Sequence, residues 1–333
     1  MTKNTPAVRR SRERKRILIV TQEIDPHADV MALRLQKRGI RAVRFHPQSM
    51  GRPDRLTLGF TPEGATSWQL TGDYGTLRDS EVGSVWYRRP MFALDRDLSD
   101  EEALFAQGEI REAVMGLFRL SKAFWVNRPD AVRVAESKPL QLGLAQKIGF
   151  RVPRTLITND PQRFRDFYDE CRGDVIFKTM TQGSLGASEG KGIYTSLVSR
   201  AHLKDLEAIR RAPCLFQEHI RKAVDLRVTV IGEKVFPVEI HSQDHSEARV
   251  DWRKGDAARM RHAPHKLPGD LEGRCLKLLG ELSLVYGAID LILTSEGEYV
   301  FLELNPSGQF AWIETMTKLP LIETLADLLV SHT

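Results

Sequence analysis

Short apolar runs separated by polar, glycine-punctuated stretches fill the chain, and their period changes along it. Ile17 to Thr21 is a continuous apolar run of strand length. A helical spacing through Val30, Leu33 and Leu35 follows, stops at Gly39, and gives way to a second short run from Ala42 to Phe45. That order predicts a βαβ opening and a parallel sheet with a site at the carboxyl ends of its strands. No glycine fingerprint follows Thr21, which argues against a Rossmann cofactor. Leu56 to Phe60 and Thr66 to Leu70 read as a hairpin, Val82 to Tyr87 as a strand and Glu101 to Leu120 as a long helix. Arg88-Arg89-Pro90 leaves that strand to bind a phosphate or to pair with the acidic helix.

A second stretch begins near Val126. Ser137 and Pro139 mark a helix start, Leu140, Leu144 and Ile148 supply its buried stripe, and Gly149 ends it. Val175 to Thr179 is strand-like and runs into a Gly/Ser loop, TQGSLGASEGKG, from Thr181 to Gly192. From about Leu215 the pattern becomes that of hairpins. Arg227 to Ile231 and Lys234 to Ile240 flank Gly232-Glu233, a glycine-first turn suited to type II′. Pro237 lacks an amide donor, which predicts an edge position for the second of these strands. The runs AIDLILT and EYVFLEL flank the turn SEG. Counting outward from Glu296-Gly297 sets Asp290 opposite Glu303, and alternation brings Asn305 to the same face. Two carboxylates and an amide oxygen suit Mg²⁺, a hard cation that borrows further ligands from phosphates. A solvated hairpin with its polar residues outward accounts for the same spacing.

Composition narrows the class. The 333 residues are 41% hydrophobic and 28% charged, as in ordinary globular proteins, and no stretch approaches the roughly 18 apolar residues of a membrane span. The formal charge of +5 is concentrated at the start. Lys3, Arg9, Arg10, Arg12, Arg14, Lys15 and Arg16 against Glu13 give the first 16 residues +6 and leave the remainder at −1. A nucleic-acid partner is therefore not implied by the body of the chain, and residues 1–16 read as a disordered basic tail. Cys171, Cys214 and Cys275 are odd in number and lack metal-finger spacing, which points to a reducing, cytoplasmic setting.

Several residues suggest phosphate and carboxylate chemistry. Lys178 ends the run IFK just before the glycine-rich loop, where a point charge and loop amides can meet phosphates; each feature alone is also an ordinary surface feature. Asp225 and Arg227, two apart, share a strand face, and a plain cross-strand ion pair would explain them. Asp251-Trp252-Arg253 offers a fork for a carboxylate beside an aromatic, or a surface salt bridge. His241 and His245 lack a third ligand, so zinc is not assigned.

Glu303-Leu304-Asn305-Pro306 followed by Gly308-Gln309-Phe310-Ala311-Trp312-Ile313-Glu314 resembles the E-x-N-P-x-G-Q-x-x-W-I-E signature of the ATP-grasp ribosomal peptide maturases, the graspetide or microviridin-type macrocyclases. Asp25 to Asp29, Ser84 to Pro90 and Thr158 to Pro161 extend the likeness over nearly the whole chain after residue 16. Ser307 and Phe310 stand where that pattern leads one to expect Asn and Trp. The resemblance implies an α/β ATP-grasp fold: an N-terminal parallel-sheet (pre-ATP-grasp) domain at 17–125, a central lid domain at 126–214 and a C-terminal antiparallel-sheet catalytic domain at 215–333. It implies ATP and Mg²⁺, with Lys138, Lys178, Gly183, Gly186, Gln217, Glu218 and Ile220 on the nucleotide and Asp290, Glu303 and Asn305 on the metal. Arg227 falls to the γ-phosphate and acyl phosphate, with Asp225 orienting it or reaching the nucleotide. Asp251, Arg253, Val235 and Val238 fall to the peptide, whose leader the 227–240 hairpin helps hold. The implied activity is ATP-dependent macrocyclisation of a ribosomal precursor peptide by a homodimer, without membrane or nucleic-acid partners. A glutamate-adding ligase or a kinase is the alternative.

Overall fold

The computed structural model describes residues 15–333 apart from 52, 94, 96 and 182–192. The basic tail up to residue 14, and with it Gly183 and Gly186, lies outside the described residues. The chain divides into two compact units, one up to Val126 together with Ala326–Thr333 and one of Asn127–Leu325. The expected central and C-terminal divisions both fall within the second.

In the first unit β1 (Arg16–Val20), α1 (Pro26–Lys37) and β2 (Ala42–Phe45) form the βαβ opening. A side sheet of β3 (Arg55–Phe60), β4 (Thr66–Gly72) and β5 (Gly75–Arg78) precedes β6 (Val82–Tyr87), α2 (Asp100–Leu120) and β7 (Phe124–Val126). The main sheet is parallel in the order β2-β1-β6-β7. Its core includes Leu18, Val20, Phe45, Val85 and Trp125, with Val114, Leu117 and Phe118 of α2 packed on it. The face of α1 differs from its expected stripe. Ala28, Met31 and Leu35 are buried, whereas Val30 and Leu33 are exposed, because Pro26 at the helix start and the Asp25 cap set the rotation. Arg88 pairs with Asp25 across 3.3 Å, and Asp25 also accepts from Thr21.

His27 sits beside this buried cluster. Burial first, then the neighbouring Arg88, lower its pKa to about 4. The unfolded chain binds this proton from about pH 6.5 downward and the folded chain resists it, so stability is lost as pH falls from 6.5 towards 4, by at most about 3 kcal/mol. His27→Gln is expected to remove that part of the pH dependence. Thermal unfolding of wild type and variant at pH 7 and pH 4.5 checks it: the gap between the two proteins should narrow or reverse at the lower pH.

The second unit opens with α3 (Pro129–Ala135) and α4 (Lys138–Ile148). A four-stranded antiparallel sheet follows from β8 (Thr155–Thr158), α5 (Pro161–Glu170), β9 (Val175–Lys178), β10 (Ser196–Leu197) and β11 (Cys214–Glu218), in the order β10-β9-β11-β8. The five-stranded antiparallel sheet comes from β12 (Val224–Ile231), β13 (Lys234–Ile240), β14 (His262–Pro264), α6 (Gly269–Glu281), β15 (Tyr286–Leu293) and β16 (Tyr299–Asn305), ordered β14-β13-β12-β15-β16. The chain closes with α7 (Ala311–Thr317) and α8 (Leu321–Val330). No helix among the described residues is long and apolar enough to cross a membrane.

One face of the larger sheet carries Leu226, Val228, Val230, Ile289, Leu291, Phe301 and Leu304 into a core shared with α4 and α6. Of the expected α4 stripe, Leu144 and Ile148 pack partly buried against this core and Leu140 is exposed; Gln141 and Ala145 are the buried positions. Gln141 bonds both the amide and the carbonyl of Leu304, fastening the helix to β16 at 2.8 Å each way. Gly149 takes φ +102 at the helix end, as its position predicts. The Gly232-Glu233 turn has two residues, with Ile231 opposite Lys234 and only the glycine at positive φ, as type II′ requires. Pro237 does not lie on an edge strand. β14 pairs with residues 238–240, and Pro237 itself accepts from the His265 amide on that side. The missing donor is tolerated because β14 stops one residue short of it.

Candidate active site

Three charged residues of the larger sheet stand on its second face, in one row across three strands. Arg227 of β12 is opposite Asp290 of β15, which is opposite Glu303 of β16. β12 reads Val-Asp-Leu-Arg-Val-Thr-Val-Ile, an alternation typical of a half-wet strand, yet all eight residues are buried. A strand with polar groups and no water must pair them or hold a ligand.

The β15-β16 register arises from two compensating departures from the simple count. Around the turn Leu293 faces Tyr299, one residue off the pairing counted from Glu296-Gly297. A bulge between Asp290 and Leu291 then shifts the register back, so Asp290 and Glu303 do face each other. The bulge has a second consequence. Phe301 and Leu304 both enter the core, while Leu302 and Glu303 between them line the opposite cleft. In an unbroken strand Phe301 and Glu303 would share a face, so the extra residue brings the carboxylate to the site.

Two lysines from other elements meet Glu303. Lys138 at the start of α4 places Nζ 2.9 Å from Glu303 Oε2 and donates to the Thr179 carbonyl. Lys178, buried at the end of β9, lies 3.8 Å from the same oxygen. Burial pushes the Lys178 pKa down, opposed by Glu303. Burial also raises that of Glu303, but Lys178 and Lys138 outweigh it and hold the carboxylate well below its ordinary range. For Asp290 burial dominates and pushes its pKa to about 6 despite Arg227, whose Nη1 is 3.1 Å away. Arg227 also faces the Trp252 ring, 5.5 Å from its centroid.

Asp225 does not pair with Arg227. It accepts from Lys222 Nζ at 2.7 Å and from the Ser242 hydroxyl. Asp251 and Arg253 form a two-pronged ion pair at 2.9 and 2.6 Å, and Asp251 further accepts from the Thr195 amide. Lys178, Lys222, Asp225, Asp251, Trp252, Arg253, Asp290 and Glu303 line one cleft. Thr195 lines it too, and among its polar residues Lys222 and Thr195 are those that sequence reasoning missed. The signal for Lys222 was a lysine three residues before an acid at a strand entrance.

Other candidates divide. Gln217 is on the Lys178 face, donates to Thr155, and has a buried Oε1 with no partner. Glu218 accepts from the Arg154 amide, and Ile220 lies beyond the last ladder bonds, where pairing stops at His219. Val238 is fully buried in the Arg227 row; Val235 packs instead against the core of the opposite face. Asn305 faces Ala288 and accepts from the Ser307 amide. A Cβ at Gly308 would collide with Ala288, so the chain needs glycine where it folds back over β15. Phe310 is buried against Tyr286, and Glu314 accepts from the Ile322 amide in the first turn of α8. These two signature positions support the fold. His241 bonds Glu239 at 2.9 Å, and among the described residues no three His, Cys, Asp or Glu side chains are grouped to hold a metal.

A divalent cation nevertheless fits the row. Asp290 and Glu303 are adjacent half-buried carboxylates, Asn305 follows on the same strand as Glu303, and Glu303 Oε2 is buried without a well-directed hydrogen bond. Desolvation raises the Asp290 pKa, and a hard cation would compensate the negative charge it disfavours.

Comparison with known proteins gives a concordant picture. A family model for the RimK-like ATP-grasp domain matches residues 135–329, and one for the MvdD pre-ATP-grasp domain matches residues 16–133. The structure resembles a RiPP-associated ATP-grasp ligase of Chryseobacterium gregarium solved with ADP and a leader and core peptide. The TM-score is 0.87 and identity 31%, over 96% of this chain and 97% of that one. It also resembles macrocyclase MdnC of Microcystis aeruginosa, solved with precursor peptide MdnA, at TM-score 0.83 and 28% identity over 95% and 99%. A probable alpha-L-glutamate ligase of Saccharophagus degradans is 24% identical over 209 residues, 62% of this chain; the match spans 66% of that curated relative's length.

Proposed function

This chain belongs to the RimK-like ATP-grasp family, and on that footing we propose that it is an ADP-forming ligase that closes macrocycles in a ribosomally made precursor peptide. Side-chain carboxylates of Asp or Glu are activated as acyl phosphates and attacked by Ser, Thr or Lys side chains of the same peptide. The observation that carries the reading is the cross-strand row Arg227, Asp290 and Glu303 faced by Lys138 and Lys178, a charge set suited to a triphosphate and a carboxylate together. The likeness to peptide-bound ligases spans nearly the whole chain, whereas the glutamate-ligase match covers 62% of it, which favours the peptide substrate.

In this reading phosphate oxygens replace Glu303 as the partners of Lys138 and Lys178. Arg227, steadied by Asp290 and Trp252, compensates the charge that develops on the transferring phosphoryl group. Arg253, oriented by Asp251, holds the peptide carboxylate. Asp290, Glu303 and Asn305 would hold Mg²⁺, which when bound supplies charge neutralisation at phosphate oxygens. Because phosphate leaves readily, the protein's task is positioning. The enzyme is further proposed to be cytoplasmic, in keeping with free Cys171, Cys214 and Cys275, and to act as a homodimer. ADP release in the presence of ATP and Mg²⁺ tests the reading: a precursor peptide encoded beside the protein should stimulate it, and free glutamate should not. Stimulation by glutamate alone would favour the glutamate-adding alternative.

A further inference from the structure

Ring closure has a requirement that activation lacks, because the attacking hydroxyl or amine must lose a proton as its bond to the acyl carbon forms. Four carboxylates line the cleft. Asp251 is saturated by Arg253 and the amides of Thr195 and Arg253. Glu303 is bound by two lysines, and Asp290 by Arg227. Asp225 takes one donor on each oxygen, Lys222 on Oδ1 and Ser242 on Oδ2, which leaves a lone pair free on both. It has no part in the proposed nucleotide or metal contacts.

Building on the macrocyclase reading, we propose that Asp225, held by Lys222 and Ser242, is the proton acceptor for the attacking side chain in ring closure. The nucleophile's oxygen or nitrogen bonds to the acyl carbon and the bond from that carbon to the phosphate oxygen breaks. Inorganic phosphate departs with the electron pair, and the nucleophile's proton passes to Asp225. The surroundings suit the role. Burial raises the proton affinity of Asp225 and nearby Asp251 adds to it, while Lys222 and Ser242 keep the carboxylate charged until it is needed. Ile292 is its direct partner on β15, and Asp290 stands diagonally from it, opposite Arg227. This network differs from Arg227 and its partners, so losing it should divide the reaction.

The test uses hydroxylamine, a neutral amine at pH 7 that attacks acyl phosphates without help from a base. With full-length protein, precursor peptide, ATP and Mg²⁺, Asp225→Asn should form peptide hydroxamate within about threefold of wild type while ring closure falls about a hundredfold or more. Asp225→Glu, which restores a carboxylate, should recover part of the cyclisation. In wild type the cyclisation rate should fall as pH drops through the raised Asp225 range, and hydroxamate formation should not follow that limb. Parallel loss of hydroxamate and ring in Asp225→Asn would assign Asp225 a structural or activating role and overturn the proposal. Normal cyclisation in that variant would overturn it as well. A wild-type protein that yields no hydroxamate would instead bring down the macrocyclase reading beneath it.

Discussion

Glu303→Gln is expected to lower peptide-dependent turnover by about a thousandfold and, in the absence of ATP, to destabilise the second unit. The first effect follows from losing a charge that faces the transferring phosphate and its cation, at the upper end for a single electrostatic group. The second follows from the two lysines. Lys138 and Lys178 both rely on Glu303, and Lys178 is almost wholly enclosed. Removing the anion that the two ammonium groups share costs about 3 kcal/mol, by analogy with broken buried pairs. Nucleotide phosphates can then serve as the replacement anion. Added ATP should therefore raise the thermal midpoint of Glu303→Gln more than that of wild type. Equal ATP-induced shifts in the two proteins would separate the lysines from the phosphate site.

Arg227→Ala should abolish both hydroxamate and ring formation, by about a thousandfold, because its guanidinium acts before the acyl phosphate exists. Arg227→Lys is the sharper comparison. It keeps the positive charge but loses the planar face presented to Trp252 and the fork that reaches Asp290. A loss of about a hundredfold in Arg227→Lys would mean that orientation matters beyond charge. Near wild-type activity there would reduce Arg227 to a point charge. Single-turnover assays with hydroxylamine present separate these results from effects on product release.

Much of the site was legible because strand alternation is a strong constraint. Asp225, Arg227 and Asp290 fall on the second face by parity alone, the first two buried there and Asp290 half-buried. The Glu303 pairing was reached by a count that errs by one at the turn and is restored by a bulge, so the sequence argument had the right partner through the wrong ladder. No residue pattern announces that bulge; it is visible only as Phe301 and Leu304 both entering the core. Helix faces fared less well. In α1 and α4 the expected stripes held only in part: Leu35 is buried and Leu144 and Ile148 pack on the core, while Val30, Leu33 and Leu140 are exposed. Gln141, polar and buried, was invisible to a hydrophobic count, although its two bonds to Leu304 hold the strand that carries Glu303 in place. The short strands β5 and β14 went unread because four and three residues carry too little periodicity. For Asp225 the residue was found but its partner was not, because Lys222 lies in the connection before β12, where spacing rules do not apply.

Intact mass of the peptide product tests the central claim most directly. After incubation of this protein with its precursor peptide, ATP and Mg²⁺, the account predicts a peptide lighter by one water for each ring, with ADP and phosphate released in step. No atom of ATP remains in the product, since the acyl phosphate is expelled by a nucleophile already in the chain. A peptide heavier by a phosphoryl group, or lengthened by an added amino acid, with no loss of water, would contradict it.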